Sequence, residues 1–479
     1  MEPISVQELL QATGGKLLGD CEKTKKEITG VQSDNRIVKE GDVFFAFVGE
    51  KTDGHRFVPA ALKARAAGAV VSREPEELPA GKFCVLVPDT IRALEDLASW
   101  YRDQFTIPVV GITGSVGKTT TKDMIASVLS EKYKTLKTEG NFNNNIGLPK
   151  TILNLSGETQ MAVIEMGMNH KGEIDDLVHI AKPQTVTITN IGDAHIGNLG
   201  SKENIFKAKC EIFGGLAEGG LAVLNGDDEY LVKLREDPEK QEKFRITFVG
   251  EGKDCEWRAE NVNEEGQESM SFTAVTPVGT FPVTVPALGH HMIYPALTAA
   301  AIGAHYGLSV EEIQAGIAHY VPTKMRMETL HLPGRVTLYN DTYNANPQSM
   351  EAGLLTLSRT QTARRIAVLG DMGELGEAEE RLHREVGRYA AGLSLDALVT
   401  VGTASEKLAG EAVQCGMERE KVFCCRDKEQ AKEVLRKLSG PETAWLVKAS
   451  RVMALEELAK FVQELAENGT ASADEKNRN

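Results

Sequence analysis

The sequence predicts an α/β protein of three domains, and three observations support this. A chain of 479 residues exceeds what one hydrophobic core usually holds, since domains commonly contain about 150 residues. Short apolar runs alternate with helical patterns along most of the chain, which is typical of parallel sheets covered by helices on both faces. A glycine-rich loop of the phosphate-binding kind follows one of these runs near residue 111. We place the domains at 1–105, 106–322 and 323–462.

The first domain is predicted to be a small α/β unit. The apolar runs "DVFFAF" (42–47), "GAVVS" (68–72) and "CVLV" (84–87) are its candidate strands, with helical stretches between them. The amphipathic segment 90–105 is predicted to be its closing helix.

The central domain contains a series of buried-strand candidates. Helical segments separate most of them, so a parallel sheet is expected. The candidates lie at 107–112, 161–166, 186–191, 221–225 and 246–250. The segment 251–286 alternates apolar and polar residues instead, which predicts an antiparallel edge.

The C-terminal domain is predicted to be doubly wound and Rossmann-like. Four apolar runs alternate with helical patterns there, at 365–370, 397–402, 421–425 and 444–449. The polar tail 463–479 is rich in Gly, Ser and Ala and is predicted to be disordered.

Composition excludes several classes of protein. The net charge of −15 argues against a general nucleic-acid-binding surface. No apolar run reaches the roughly 18 residues of a membrane span, and the N-terminus lacks the pattern of a signal peptide. Seven scattered cysteines, among them Cys21, show no zinc-binding spacing and fit free thiols in a reducing compartment. We therefore expect a cytoplasmic monomer without a membrane span.

The stretch "GITGSVGKTTTKDM" (111–124) is the strongest motif. In the strict pattern a glycine stands at Ile112, whereas here it stands one residue earlier, at Gly111. Glycines let backbone N–H groups approach phosphate oxygens, and the helix that begins at Lys118 adds its dipole. Lys118 is placed to reach the β- and γ-phosphates, and the hydroxyl of Thr119 is placed to ligate Mg²⁺. The loop indicates a nucleoside triphosphate but does not separate a kinase, switch GTPase, motor or ligase.

Residues after the next strands narrow the chemistry. Glu165 ends one buried strand, where open α/β sheets place ligands and a carboxylate can hold Mg²⁺. His195 lies beyond the following strand and is a candidate metal ligand, although a lone histidine is more often structural. Lys209 lies on the next helix. We find no N-K-x-D stretch, as a GTPase would need, and no strand that ends in the Asp expected of a kinase or motor.

Five motifs in one order then identify a family resemblance. They are "GITGSVGKTTT", "TEGNFNNNIGLP" (138–149), "IEMGMNHKGEI" (164–174), "TNIGDAHIGNLGS" (189–201) and "KAKCEIF" (207–213). Together they resemble the Mur ligase family of ATP-dependent amide-bond-forming enzymes, over about residues 28–460.

Within that family, further segments resemble the members that join D-alanyl-D-alanine to UDP-N-acetylmuramoyl-tripeptide. These segments are the N-terminal "SDNRIVKEGDVFFAFVGEKTDGHRFVPAAL" (33–62), "RMETL" (326–330), "NDTYNANPQSM" (340–350) and "VLGDMGELG" (368–376). The resemblance implies that the tripeptide carboxylate attacks the γ-phosphate of ATP to form an acyl phosphate, which the dipeptide amine then attacks. The product would be the pentapeptide precursor of peptidoglycan, with ADP and phosphate released.

The resemblance also implies roles for individual residues. The first domain would bind the UDP-substrate, the central domain ATP and the C-terminal domain would complete the ligase site. Two Mg²⁺ ions are implied, one on Thr119 and Glu165 and the other on His195 and a carbamylated Lys209; Lys118, Lys209, His195 and Glu165 are therefore the implied catalytic residues. The implied ATP-binding residues are Thr113, Gly114, Ser115, Val116, Gly117, Lys118, Thr119, Thr120, Arg326, Asp341, Tyr343 and Asn344.

The candidate substrate-binding residues come from three segments. They are Ser33, Asp34, Arg36, Gly54 and His55 near the N-terminus, Asn141, Asn143 and Asn144 in the asparagine cluster, and Lys448, Ser450 and Arg451 in "VKASR". The asparagines offer neutral donors and acceptors to a sugar or pyrophosphate, and the alternative is that they form a turn.

Two departures from the family pattern keep alternatives open. The stretch "GHHMIYPALTAA" (289–300) keeps a histidine at His291, but Met292 and Pro295 replace two asparagines of the family, one of which contacts adenine. This substitution motivates the alternative of a nucleotide-dependent switch or scaffold without catalysis. Ligases that add glutamate to folate, or the third residue to the muramoyl peptide, are further alternatives. The absence of a D-N-P-R element argues against the last of these.

Overall fold

The protein is described by a computed structural model over residues 1–19, 27–49, 52–264 and 268–476, with side chains up to residue 468. Cys21 lies outside these ranges. Four sheets with helices packed against them form the molecule, which confirms the α/β fold class.

The N-terminal part builds a five-stranded sheet in the order β2-β7-β6-β5-β4 and a two-stranded pair of β1 with β3. Its elements are β1 (Ile4–Ser5), α1 (Val6–Thr13), β2 (Lys16–Gly19), β3 (Glu27–Ile28), β4 (Gly30–Gln32), β5 (Asp42–Phe45), α2 (Val58–Ala64), β6 (Gly68–Val71), β7 (Phe83–Leu86) and α3 (Thr90–Arg102). Helix α3 docks this part onto the next: the Tyr101 hydroxyl donates to the Leu155 carbonyl at 2.7 Å, and Nε of Arg102 donates to the Ala181 carbonyl at 3.0 Å.

The central part builds a nine-stranded sheet in the order β16-β15-β14-β13-β12-β11-β8-β10-β9. Its strands are β8 (Val109–Thr113), β9 (Thr135–Lys137), β10 (Met161–Glu165), β11 (Thr185–Ile188), β12 (Leu221–Asn225), β13 (Arg245–Gly250), β14 (Trp257–Asn263), β15 (Met270–Thr276) and β16 (Gly279–Val285). Its helices are α4 (Lys118–Ser130), α5 (Gly147–Ile152), α6 (Glu173–Ala181), α7 (Ile196–Leu199), α8 (Lys202–Lys209), α9 (Pro238–Lys243), α10 (Ile293–His305) and α11 (Val310–Ala318).

Strand β8 lies between β10 and β11 and pairs with both in parallel. All five of its residues are buried, as expected of a strand covered on both faces. After β8 the chain forms β9 and β10 on one side of it and then crosses to form β11 on the other side. The carboxyl end of β8 therefore opens into the crevice where open α/β sheets bind ligands. The antiparallel edge predicted at 251–286 is confirmed, because β14 pairs with β15 and β15 with β16 in that sense.

The C-terminal part builds a six-stranded sheet in the order β17-β18-β22-β19-β20-β21, antiparallel only at β17–β18. Its elements are β17 (Glu328–Leu332), β18 (Val336–Asp341), α12 (Pro347–Arg359), β19 (Arg364–Gly370), α13 (Glu379–Ala391), β20 (Ala397–Val401), α14 (Ser405–Gln414), β21 (Val422–Cys425), α15 (Lys428–Leu438), β22 (Thr443–Lys448) and α16 (Glu456–Lys476).

The chain end differs from the sequence prediction. A disordered tail is predicted from 463, yet helix α16 continues to Lys476. Val462 is buried, and Leu465 and Ala466 pack against the core of the C-terminal sheet. These apolar contacts stabilise the helix beyond residue 463, where the sequence predicts disorder.

Candidate active site

The glycine-rich loop joins β8 to α4 at the carboxyl edge of the central sheet. Gly114 has φ of 149°, and a Cβ on it would lie 1.8 Å from Oγ1 of Thr189, so the position requires glycine. The segment after β11 shapes the loop, because the N–H groups of Ser115 and Val116 donate to the backbone and side-chain oxygens of Asn190, each at 3.0 Å. The loop is therefore supported from the neighbouring strand before any ligand binds.

Lys118 begins helix α4, and its ammonium turns back over the loop. Nζ donates to the carbonyl of Gly114 at 2.8 Å and lies 3.5 Å from that of Ser115. Burial lowers the pKa of Lys118, and the charges of Glu165 and Glu374 oppose this effect. The ammonium of Lys118 therefore lies against carbonyl oxygens, at the position where the oxygens of a bound phosphate would take their place.

Thr119 and Glu165 meet beside the loop, although they lie on different elements. The hydroxyl of Thr119 donates to Oε2 of Glu165 at 3.0 Å, and the amide of Asn143 donates to Oε1 at 2.8 Å. The buried ammonium of Lys122 lies 3.9 Å from Oε2. Both oxygens of a buried carboxylate are therefore oriented by neighbours, as expected for a preorganised ligand group.

Two other threonines of the motif have different surroundings. The hydroxyl of Thr113 is buried at the base of the loop and has no hydrogen-bond partner among the described residues. Such an orphaned polar group fits a ligand or water that completes it. Thr120 instead lies beside the phenol of Tyr320.

Lys209 ends helix α8 and is almost fully buried, at 1% exposure. Within the described part of the chain its ammonium makes no hydrogen bond or ion pair. Burial, followed by repulsion from Lys118, holds the pKa of Lys209 well below its ordinary value. Both effects favour the neutral form of this amine relative to that of an exposed lysine.

His195 lies where the C-terminal part of the chain contacts the central sheet. Its Nδ1 lies 2.6 Å from Oε2 of Glu374, a residue of the loop after β19. The same loop accepts a backbone hydrogen bond at 3.1 Å from Gly197 to the carbonyl of Glu374. A Cβ on Gly197 would lie 2.7 Å from the nitrogen of Gly376, so the approach of the two loops requires glycine.

A second contact across this boundary involves helix α12. The side-chain amide of Gln348 donates to Oδ2 of Asp193 at 2.5 Å. Asp193 is buried, and its neighbour Gly192 donates to the hydroxyl of Ser115 at 2.8 Å. The glycine-rich loop, the segment after β11 and the C-terminal sheet are therefore connected through consecutive hydrogen bonds.

Arg326 and Tyr343 form a stacked pair at the same boundary, with the guanidinium carbon 4.1 Å from the ring centroid. Arg326 also acts electrostatically on Lys118. Glu165, Lys209 and Arg326 thus all lie within electrostatic range of Lys118, and His195 joins this group through Glu374.

Asp341 and Lys448 form a buried ion pair. Nζ of Lys448 lies 2.7 Å from Oδ2 of Asp341 and donates to the carbonyl of Asn344 at 2.9 Å. Lys448 is 1% exposed and is held by this pair, so its contact with substrate stays a prediction. The sequence could not show the ion pair, because the two residues lie 107 positions apart.

The other two residues of "VKASR" also have protein partners. The hydroxyl of Ser450 accepts a hydrogen bond of 2.5 Å from the N–H of Gly373, which holds the loop that carries Glu374. Arg451 is exposed and pairs with Glu456 at 2.8 Å.

The asparagine cluster divides between two roles. Asn143 orients Glu165, as described above. Oδ1 of Asn144 accepts from Ile146 and Gly147 at 3.3 and 2.9 Å and so initiates helix α5, which is the turn alternative. Asn141 is exposed.

Ser33 and Lys150 meet where the N-terminal part contacts the central part. Nζ of Lys150 donates to the hydroxyl of Ser33 at 2.7 Å, and burial lowers the pKa of Lys150. Asp34 pairs with Arg36 at 2.6 Å, and hydrogen bonds from Arg36 lower the pKa of this partly exposed carboxylate to about 2.

His55 is fixed within the N-terminal fold. Its Nε2 accepts from the N–H of Ser72 at 2.9 Å, so Nδ1 carries the proton and donates to Asp53 at 2.8 Å. A Cβ on Gly54 would lie 2.6 Å from the carbonyl oxygen of Phe47, so this residue also serves close packing.

The departures at 292 and 295 concern buried positions. Met292 belongs to the core of the central sheet, and Pro295 is buried in helix α10, so neither offers a contact to a nucleotide base. His291 is partly exposed, and burial lowers its pKa.

Sequence reasoning missed three residues of this region: Glu374, Gln348 and Asn190. Glu374 and Gln348 stand in segments quoted for the family resemblance, but nothing in the sequence shows that they cross a domain boundary. Asn190 follows a buried strand, so its position at the carboxyl edge of the sheet could have identified it as a residue of the site.

Two absences hold for the described residues. No cluster of three or more His, Cys, Asp or Glu side chains is arranged to hold a metal there. Each helix in those ranges is too short or too polar to cross a bilayer.

The fold and the site define a P-loop nucleotide-binding protein whose site is completed by a Rossmann-like C-terminal sheet. Family models match all three parts: the Mur ligase family catalytic domain over 27–102, the Mur ligase middle domain over 112–303 and the Mur ligase glutamate ligase domain over 325–451. The chain belongs to the Mur ligase family.

Relatives match along nearly the full length. UDP-N-acetylmuramoyl-tripeptide–D-alanyl-D-alanine ligase of Bacillus subtilis (strain 168) is 36% identical over 95% of this chain and 97% of the relative. A crystal structure of MurF from Acinetobacter baumannii is 33% identical with a TM-score of 0.88, covering 97% of this chain and 99% of that one. MurF ligase from Thermotoga maritima in complex with ADP is 26% identical with a TM-score of 0.81, covering 91% and 97%.

Proposed function

We propose that the protein uses ATP to join D-alanyl-D-alanine to the terminal carboxylate of UDP-N-acetylmuramoyl-tripeptide. The products are the pentapeptide precursor of peptidoglycan, ADP and phosphate. The observation that supports this proposal is the grouping of the Thr119–Glu165 pair, Lys209 and the Glu374–His195 pair around Lys118. The names of the full-length relatives support the choice of substrates.

The first step transfers the γ-phosphoryl group of ATP to the tripeptide carboxylate. Lys118 and the loop N–H groups bind the phosphates, and Arg326 brings a second cation from the C-terminal side. In the second step the dipeptide amine attacks the acyl carbon and phosphate leaves. Both steps need alignment of anionic groups, which the site provides by bringing two domains together.

Mg²⁺ fits the residues at this site. The hydroxyl of Thr119 and the carboxylate of Glu165 are adjacent, and Mg²⁺ is commonly bound by one or two protein oxygens together with substrate phosphates. This mode also agrees with the lack of a larger acidic cluster in the described ranges. When bound, the ion neutralises charge on the transferring phosphoryl group. A second ion would be held by His195 and a modified Lys209.

Lys209 fits the proposed carbamylation. A neutral buried amine can add to carbon dioxide and lose a proton, which leaves an anionic carbamate. The depressed pKa of Lys209 and its lack of a protein partner in the described part of the chain favour the neutral amine that this reaction needs. The carbamate would add negative charge near Lys118, where the unmodified ammonium repels a cation.

We further propose that residues 1–105 bind the UDP group, 106–322 bind ATP and 323–462 complete the ligase site. Ser33, Asp34 and Arg36 at the boundary to the central sheet are the candidate contacts of the UDP-sugar. We further infer that the protein is a cytoplasmic monomer.

The decisive experiment measures phosphate release from ATP with UDP-N-acetylmuramoyl-tripeptide and D-alanyl-D-alanine. Release that requires both substrates supports the proposal. No release above the control without dipeptide contradicts it, and dependence on folate and glutamate would instead indicate the other ligase activity. The tripeptide is supplied with either lysine or diaminopimelate as its third residue, so that this choice does not obscure the result.

A further inference from the structure

Glu374 brings a carboxylate from the C-terminal part of the chain to His195 and into electrostatic range of Lys118. Its loop is docked on the central sheet by the hydrogen bond from Gly197 and by the glycine contact at 197 and 376. Ser450 holds the same loop from behind through Gly373. The position of the carboxylate is therefore fixed by contacts on both sides.

The backbone of Glu374 adopts an uncommon conformation. Its φ is 63°, in the left-handed region that a residue with a side chain rarely occupies. Non-glycine residues in this region persist where the surrounding structure holds them, and they concentrate at functional sites. The conformation directs the side chain of Glu374 toward His195.

One oxygen of this carboxylate has a partner and the other is available. Oε2 contacts Nδ1 of His195 at 2.6 Å, while Oε1 has no protein partner within the described residues. The side chain is 56% exposed.

Glu374 lies near two positive charges, and a carboxylate at this position would help a cationic substrate to bind. A dipeptide arrives with a positively charged ammonium, which the charges of Lys118 and Arg326 would repel. The amine must nevertheless reach the acyl carbon formed at this site. A carboxylate that enters from the opposite domain offsets the repulsion and directs the amine.

We propose that Glu374 binds the α-ammonium group of the incoming dipeptide, with Oε1 as acceptor, while Oε2 stays in contact with His195. This inference rests on the proposed function. It makes Glu374 a substrate-binding residue that selects a nucleophile with a free amino terminus.

The test compares Glu374→Gln with Glu377→Gln, an exposed residue three positions along the same segment. Steady-state kinetics are measured separately for ATP, UDP-tripeptide and D-alanyl-D-alanine. We expect Glu374→Gln to raise the KM for the dipeptide by about 10- to 100-fold, the loss of one charged hydrogen bond. The KM values for ATP and UDP-tripeptide should change less than about twofold, and Glu377→Gln should resemble the wild type.

A second measurement uses propionyl-D-alanine, which lacks the ammonium group, as a competitor of the dipeptide. The wild type should bind the dipeptide more tightly than this analogue, and Glu374→Gln should lose the difference. A thermal unfolding curve shows that the variant is folded.

Two outcomes would overturn the inference. If Glu374→Gln leaves the dipeptide KM unchanged but raises the Mg²⁺ requirement, Glu374 acts only by positioning His195. If the variant matches the wild type in every measurement, Glu374 has no role in binding. A wild-type enzyme without dipeptide-dependent phosphate release would instead contradict the proposed function itself.

Discussion

The hydroxyl of Thr119 and the carboxylate of Glu165 lie 3.0 Å apart, although 46 positions separate them in the chain. Strands β8 and β10 pair in parallel, so the residues that follow their carboxyl ends meet at one edge of the sheet. Glu165 is 1% exposed and is also held by Asn143. The protein itself therefore orients both groups, as the proposed metal site requires.

Thr119→Val tests this pair. The substitution keeps the shape of the side chain but removes the hydroxyl that orients Glu165 and is proposed to contact Mg²⁺. We expect kcat to fall by about 10- to 100-fold and the Mg²⁺ concentration for half-maximal activity to rise. A magnesium titration of phosphate release checks this. An unchanged Mg²⁺ requirement would show that Thr119 is not part of the metal site.

Lys209→Ala tests the carbamate. Loss of the side chain removes the proposed anion, so activity should fall by at least about 100-fold. Short-chain carboxylic acids such as acetate should restore part of the activity, since they can supply the missing negative charge. Lys207→Ala is the matched control on the same helix, because its side chain is 64% exposed. Full activity of Lys209→Ala without added acid would rule out the carbamate.

The local patterns of the sequence explain why the phosphate loop and its neighbours could be predicted. The apolar run before Gly111 predicts a buried strand, and the glycines after it predict the loop. Glu165 lies at the end of the next predicted buried strand. Each of these signals lies within about ten residues of the group that it predicts. The sheet then brings the strand ends together without further information.

Contacts between residues far apart in the chain could not be predicted in the same way. The pairs Gln348–Asp193 and Lys448–Asp341 join residues 155 and 107 positions apart. The first contact depends on how the central and C-terminal sheets pack, and the second depends on which strands of the C-terminal sheet become neighbours, since β18 and β22 pair with Asp341 opposite Lys448. No periodicity or turn signal connects such residues, so the ion pair of Lys448 with Asp341 is visible only in the structure.

Gln348→Ala tests closure between the central and C-terminal sheets. The variant loses a hydrogen bond to the buried carboxylate of Asp193, so the closed arrangement should become less populated. We expect kcat/KM for ATP to fall by about tenfold and compaction with an ATP analogue and UDP-substrate, measured by small-angle scattering, to decrease. Gln463→Ala is the control, since Gln463 also bonds a carboxylate but on helix α16. Equal compaction in both variants would exclude a role of Gln348 in closure.

Glu95 gives the protein a pH-dependent stability that does not involve the active site. It lies on helix α3 with 8% exposure, and burial raises its pKa to about 7 although Arg92 opposes the shift. For an acid with a raised pKa, the folded state binds more protons than the unfolded state between the unfolded value of 4.5 and about 7. The free energy of unfolding therefore decreases as pH rises through this window. Above about pH 7 the carboxyl is ionised in the folded protein, and the full cost of burying its charge then lowers the stability.

Glu95→Gln should remove this cost, because the amide cannot ionise. We expect the variant and the wild type to have similar stability near pH 4.5, and the variant to gain on the order of 1–3 kcal/mol at pH 8. Urea unfolding across this pH range measures the difference, with the exposed Glu76→Gln as control. A difference that stays constant with pH, or that grows toward acid, would show that Glu95 is already ionised in the folded protein.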